Sequence, residues 1–324
     1  MSFAGHFWTL GTNLRHRLRP WSAPAGEPWS TSLIDPRVGE VRLTGELHRT
    51  GSRDLVVAIH GLGGSIASHY VVRTAAACAD EGLDCLRLSL RGSDRLGEDF
   101  YHAGLTADLS ATLRSAALAG YARIFMVGYS LGGHVTLRWA LTPDDPRVRA
   151  VASVCAPLDL AAGCAAIDAP GRFLYRDHVL DGLKDIYAAI VARGRAVPTP
   201  WPTIRGLTTI REWDRHAVVP RHGFVSVDDY HRSMSVGPRL ADVALPALIV
   251  SAPADPMIPA ATIAPHVRTL PGHVIHRWTA RGGHVAFPRD AGLAPELTSR
   301  PSGPDLPQAP GLWGQVLRWL RAHG

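Results

Sequence analysis

Apolar positions along this chain recur in two rhythms, one strand-like and one helical, which alternate from about Glu40 onwards. Val41–His48 alternates apolar with polar, as a half-exposed strand does. Asp54–His60 (DLVVAIH) is a nearly continuous apolar run rich in β-branched residues, which predicts a strand buried on both faces. Ser65–Glu81 has helical spacing and stops at Gly82, a C-cap signal. Asp84–Leu90 is the next predicted strand, and Leu105–Ala119 a helix ended by Gly120. Arg123–Tyr129 (RIFMVGY) is another buried strand, followed by a helix from Ser130 to Leu141. Arg149–Ala156, Pro246–Ala252 and His273–Thr279 add three strands, and Leu312–Ala322 a last helix. This order predicts parallel βαβ units with helices on both faces of one sheet.

Three segments break the rhythm. Residues 1–38 are polar, rich in arginine and interrupted by Pro20, Pro24, Pro28 and Pro36. They read as an N-terminal arm with one short helix near Phe7–Leu18, leaving 39–324 as a single α/β domain. Pro157–Val243 holds helical stretches such as Leu174–Ala192 but no buried strand, the pattern of a lid inserted between two core strands. Pro288–Gly311, rich in Pro, Gly and Ser, reads as a surface loop.

Composition narrows the class. The 324 residues are 46% hydrophobic and 19% charged, with mean hydropathy +0.02, which is ordinary for a globular chain of this size. Lys+Arg 34 against Asp+Glu 28 gives +6, but Lys184 is the single lysine, so the positive balance is arginine. No nucleic-acid recognition motif accompanies Arg15, Arg17 and Arg19, so the charge does not point to nucleic acid. The four cysteines, Cys78, Cys85, Cys155 and Cys164, form no metal or disulfide pattern, which favours a reducing compartment. No stretch of 18 apolar residues occurs and the N-terminal charges follow the apolar stretch, unlike a secretory signal. A cytoplasmic location is therefore expected.

Candidate chemistry centres on Gly128-Tyr129-Ser130-Leu131-Gly132, placed where a buried strand gives way to a helix. The pattern alone is weak, but a nucleophile elbow needs that junction. A serine on so sharp a turn requires small residues two places either side, where a side chain would strike the neighbouring strand and helix. A serine hydroxyl also needs a base to take its proton and an acid to orient the base. Asp255, directly after the strand Pro246–Ala252, and His284, in Gly282-Gly283-His284 after His273–Thr279, supply both in the order Ser, acid, His. His60-Gly61-Leu62-Gly63-Gly64 follows another buried strand and suits an oxyanion loop, with the N–H groups of Leu62 and Leu131 as donors. Blander roles compete: Ser130 as a helix cap, Asp255 as a turn residue before Pro256, and His284 as a loop histidine. Asp214, Asp228, Asp229 and Asp242 are rival acids, but none directly follows a clear buried strand. His60 reads as a support of its loop, and His134 points away from the mouth. Neither a Walker loop, a GxGxxG turn nor HExxH occurs, so no cofactor or metal is expected.

Taken together, these motifs resemble the α/β-hydrolases, and more narrowly the YheT-like branch, over roughly residues 50–287. HGLGGSIASHY resembles that branch's oxyanion loop, and Arg91-Gly92 with Tyr101-His102-Ala103-Gly104 and Asp108-Leu109 its RG…YH-x-G…DL signature. Arg211-Glu212-Trp213-Asp214, His222-Gly223-Phe224 and Asp229-Tyr230 resemble its REFD…HGF…DYY segment, and GGHVAF its GGHVGF. Where the branch has Asp-Asp-Pro, this chain has Ala254-Asp255-Pro256. The resemblance implies a serine hydrolase acting on small-molecule or lipid acyl esters and, given the branch's acyl-lipid members, a weak peripheral attraction to anionic lipid surfaces. Acyl transfer from the same acyl-enzyme and a non-catalytic binding protein on the same fold are the alternatives. Oligomeric state is left open.

Overall fold

The computed structural model describes residues 3–288, 290–293 and 311–324. Eight strands form one sheet: β1 (Glu27–Asp35), β2 (Gly39–His48), β3 (Asp54–Ile59), β4 (Asp84–Leu88), β5 (Arg123–Tyr129), β6 (Val148–Val154), β7 (Ala247–Ser251) and β8 (Val274–Trp278). Their spatial order is β1-β2-β4-β3-β5-β6-β7-β8. β1 and β2 run antiparallel to their neighbours, and every pairing from β4 to β8 is parallel. The helices are α1 (Phe3–Leu18), α2 (His69–Asp80), α3 (Ala107–Leu113), α4 (Leu131–Trp139), α5 (Leu160–Asp168), α6 (Phe173–Ala192), α7 (Trp201–Arg205), α8 (Ile210–Trp213), α9 (Val219–His222), α10 (Val227–Met234), α11 (Ala260–Ile263) and α12 (Gly311–His323).

The period of two explains the two cores. Along β3, Val56 and Ala58 join α2 and α12 on one face, while Leu55, Val57 and Ile59 join α3, α4 and α6 on the other. A run buried on both faces has no polar side to show, which is why the sequence reads DLVVAIH without alternation. All the helices from α5 to α10 lie between β6 and β7, in the segment Pro157–Val243.

The N-terminal segment departs from the arm expected for residues 1–38. Glu27–Asp35 is the edge strand of the sheet, and the preceding helix begins at Phe3, four residues earlier than expected. Only Trp29 of β1 is buried, so an edge strand half open to solvent leaves little apolar signature. The turn did carry a signal: Asp35 Oδ1 accepts from the N–H of Arg37 (2.9 Å) and Val38 (3.2 Å), and Gly39 takes φ 78°. Most of the loop expected at Pro288–Gly311 (residue 289 and 294–310) lies outside the described residues.

Candidate active site

At the end of β5 the chain turns through Ser130, whose φ of 52° and ψ of −123° put a non-glycine residue in a strained conformation. Such a backbone costs about 1–3 kcal/mol and persists only where its surroundings hold it. Here the Ser130 N–H donates to Val154 O on β6 (2.8 Å), and its carbonyl accepts from His134 N–H on α4 (3.1 Å). The flanking glycines are sterically required. A Cβ on Gly128 would lie 2.3 Å from Gly132 O, and one on Gly132 would lie 2.4 Å from His60 O. Gly61 is nearly as confined, since its Cβ would come within 2.9 Å of the Ser130 Cβ.

His284 arrives on the loop after β8. Gly282 has φ 147°, and the Gly283 N–H donates to Ala286 O at 2.8 Å, closing a tight turn that presents the imidazole. The Ser130 hydroxyl lies 2.9 Å from His284 Nε2, and His284 Nδ1 donates to Asp255 Oδ2 at 2.9 Å. The other oxygen, Asp255 Oδ1, accepts from the N–H of Met257 (2.8 Å) and Ile258 (2.9 Å). Thus the structure brings Ser130, His284 and Asp255 into one hydrogen-bonded line with both the acid and the base buried. Asp255 is also a turn residue, because the turn uses one oxygen and the imidazole the other.

Leu62 and Leu131 line the same cavity as Ser130 and His284. Leu131 is the first residue of α4, so its N–H has no partner within the helix. The Leu62 loop is held by two tyrosines: Gly61 N–H donates to Tyr70 Oη (3.1 Å) and Gly63 N–H to Tyr101 Oη (2.7 Å). Beneath it, His60 Nε2 accepts from Leu90 N–H at 3.1 Å, which leaves Nδ1 to donate to Gly61 O at 2.8 Å. Burial holds the His60 pKa down at about 4, so the ring is neutral. His134 lies between Pro157 O (2.7 Å) and Met234 O (2.9 Å), and its neutral ring donates to one of these two carbonyls, tying α4 to the helical segment.

Above the line lies a cavity of about 640 Å³, walled by Leu160, Ile167, Val179, Ile210 and Trp213 and reaching out to α1. Its far wall gathers three groups from distant parts of the chain: Cys164, Asp214 and His231, whose ligand atoms all lie within 4.8 Å of one another. His231 Nε2 and Asp214 Oδ2 are 2.8 Å apart. Such a set suits a soft divalent cation. Sequence spacing concealed it, since the three sit on α5, a π-helical turn (Asp214–Val218) and α10. Cys155 is likewise nearer to the Ser130–His284–Asp255 line than its isolation in sequence suggested. It is buried with φ 53° beside Asp255 and His284, and burial pushes its thiol pKa well up.

Thr9 was hidden in the presumed arm. Its Oγ1 accepts from the His284 N–H at 2.8 Å and donates to Gly5 O at 2.8 Å, so α1 holds the histidine loop from above. No spacing rule could have found it, because the contact spans 275 residues.

Residues 54–175 match the family described as the alpha/beta hydrolase fold. The candidate esterase YheT of Escherichia coli (strain K12) is 31% identical over 258 residues, covering 77% of this chain and 75% of the relative. The chain belongs to the α/β-hydrolase family, in its YheT-like branch. Human phospholipase ABHD3 is similar at 22% identity over 241 residues, covering 73% of this chain and 59% of that protein. Among solved structures, the esterase Pf2001 of Pyrococcus furiosus shares the fold, with a TM-score of 0.51 at 16% identity, covering 79% of this chain and 84% of that one. Within the branch motifs, the RG…DL pair acquires a physical meaning in this α/β-hydrolase. Arg91, fully buried, bonds Asp108 (2.6 Å), Asp35 (2.6 Å) and Asp99 (3.1 Å), pinning β1 to the core. Among the described residues no helix is long and apolar enough to cross a membrane.

Proposed function

We propose that this α/β-hydrolase is a serine esterase that cleaves carboxylic esters with an apolar acyl group. The observation that carries the reading is the Ser130–His284–Asp255 line, with both hydrogen bonds at 2.9 Å, opening into an apolar cavity. In the first half-reaction Ser130 Oγ attacks the ester carbonyl while its proton passes to His284 Nε2. Asp255 keeps Nδ1 protonated and stabilises the imidazolium that forms. The N–H groups of Leu62 and Leu131 receive the oxyanion, a donor of this kind being worth about 3 kcal/mol in the transition state. His284 then returns the proton to the departing alkoxide, leaving an acyl group on Ser130. Water, deprotonated by His284, attacks that acyl group, and the acid leaves with Ser130 restored. The alkyl part of the acyl group occupies the space between Leu160, Ile167 and Trp213.

Turnover of p-nitrophenyl esters of increasing chain length tests the reading. Ser130→Ala is expected to lower kcat by about 10⁴-fold or more with the fold retained. Unchanged turnover in that variant would overturn it.

A further inference from the structure

α1 turns four large apolar residues to solvent, while Gly5 and Thr9 on the other side are buried against the protein. At about 100° per residue, Phe7, Leu10, Leu14 and Leu18 fall within an arc of about 100°. Phe7 is 68% exposed, Leu14 57% and Leu18 78%. The opposite face is locked in place. Gly5 packs so closely that a Cβ there would lie 1.7 Å from Ala254 O, and Thr9 is bonded to the His284 loop. The helix therefore cannot roll its apolar stripe inward without clashing with the loop that carries Asp255.

The stripe is continuous with the mouth of the cavity. Leu10, Leu14 and Leu174 line it, and Phe173 and Leu174, 54% and 56% exposed, stand at the start of α6. His6 bonds Tyr175 (2.6 Å) and Arg17 bonds His178 (3.1 Å), which holds α1 across the start of α6. Arginines border the apolar face, with Arg15 on one flank and Arg17 on the other, followed by Arg19. No acidic residue precedes Glu27 in the sequence. On the α6 side the rim also carries Asp177, paired with Arg176 at 3.5 Å, and Asp181.

We propose that this face docks on an anionic lipid surface, so that the cavity opens directly onto the layer holding its substrate. An anionic bilayer supplies both complements together: headgroup charge for the arginines and an acyl boundary for the leucines and phenylalanines. That the lipid delivers the ester to Ser130 rests on the esterase reading above, whereas the docking itself does not.

The test is co-sedimentation of the full chain with vesicles of phosphatidylcholine, with or without about one third phosphatidylglycerol. Wild type is expected to partition about tenfold more strongly onto the anionic vesicles. The pair F7S/L18S, neither of which lines the cavity, is expected to reduce that partition about tenfold. The pair R15E/R19E is expected to reduce it about fivefold or more and to abolish the preference for anionic lipid. Turnover of a short, water-soluble ester should be unchanged in both pairs. Wild-type partition in F7S/L18S, or equal partition onto neutral and anionic vesicles, would overturn the docking. So would a dimer in analytical ultracentrifugation that F7S/L18S dissolves, since a second copy would then cover the face. If F7S/L18S unfolds at lower temperature than wild type, the R15E/R19E result decides alone. Absence of soluble-ester turnover with the predicted partition would remove the esterase reading and leave the docking intact.

Discussion

Asp255 does two things with two oxygens, and that division makes a clear prediction at the scale of one residue. Oδ1 is committed to the N–H groups of Met257 and Ile258, so it fixes the turn whatever happens at the histidine. Oδ2 faces His284 Nδ1, with the Cys155 thiol close by. Asp255→Asn keeps an oxygen for the turn but offers an N–H donor to Nδ1, forcing the wrong tautomer on the imidazole. Activity is expected to fall about 10³–10⁴-fold in kcat with little change in KM or thermal stability. Loss of the fold instead would show that the turn is what Asp255 mainly serves. The glycines around Ser130 are equally specific. Gly132→Ala sets a methyl against two backbone oxygens, His60 O and Ile59 O, neither of which can swing aside. Inactivity with a lowered unfolding temperature is expected, and a fully active, stable Gly132→Ala protein would contradict the steric account.

At the scale of elements, legibility followed burial. Strands closed on both faces, such as β3 and β5, announce themselves as apolar runs, and the residues just beyond their C-terminal ends were legible with them. The grouping of Ser130, Asp255 and His284 was readable because each lies beyond the C-terminal end of a strand, on the same edge of the sheet. β1 was not, since an edge strand with one buried residue, Trp29, carries almost no pattern. The part played by α1 was hidden for another reason. Its protein-facing side is small and polar, so the helix reads as a loose arm although Gly5 and Thr9 fit tightly against the site. Likewise the grouping of Cys164, Asp214 and His231 depends on how short helices of the insertion pack, which no periodicity encodes. The contact through Thr9 can be measured. Thr9→Val keeps the shape but leaves the buried His284 N–H without its acceptor, which should cost about 1–3 kcal/mol of stability. kcat should fall with it, and Thr9→Ser should restore both in the same assays. Equal behaviour of the valine and serine variants would remove Thr9 as a positioning residue.

Over the whole molecule, the fully buried Arg91 and several buried neutral histidines set conditions under which the fold survives. Arg91 sits among Asp35, Asp99 and Asp108, and Arg221 supports it by pairing with Asp99 at 2.7 Å. Arg91→Met would leave the buried Asp108 without a cation, and a loss of about 3–5 kcal/mol in urea unfolding is expected. His60 and His134 are both held near a pKa of about 4, chiefly by burial, against the usual 6.5. Between those values the unfolded chain binds more protons than the folded one. Stability is therefore full above about pH 6.5 and declines as pH falls towards 4, by up to about 1.4 kcal/mol per pH unit for each histidine. Thermal unfolding from pH 7 to 4.5 should follow that slope, and a flat profile would contradict it. The central claim, that Ser130 is a nucleophile activated by His284, is tested most directly by fluorophosphonate labelling followed by peptide mapping. The adduct is predicted on Ser130, absent in Ser130→Ala and about 10³-fold slower to form in His284→Ala. Labelling of a different residue, or of Ser130 at an undiminished rate without His284, would contradict the account.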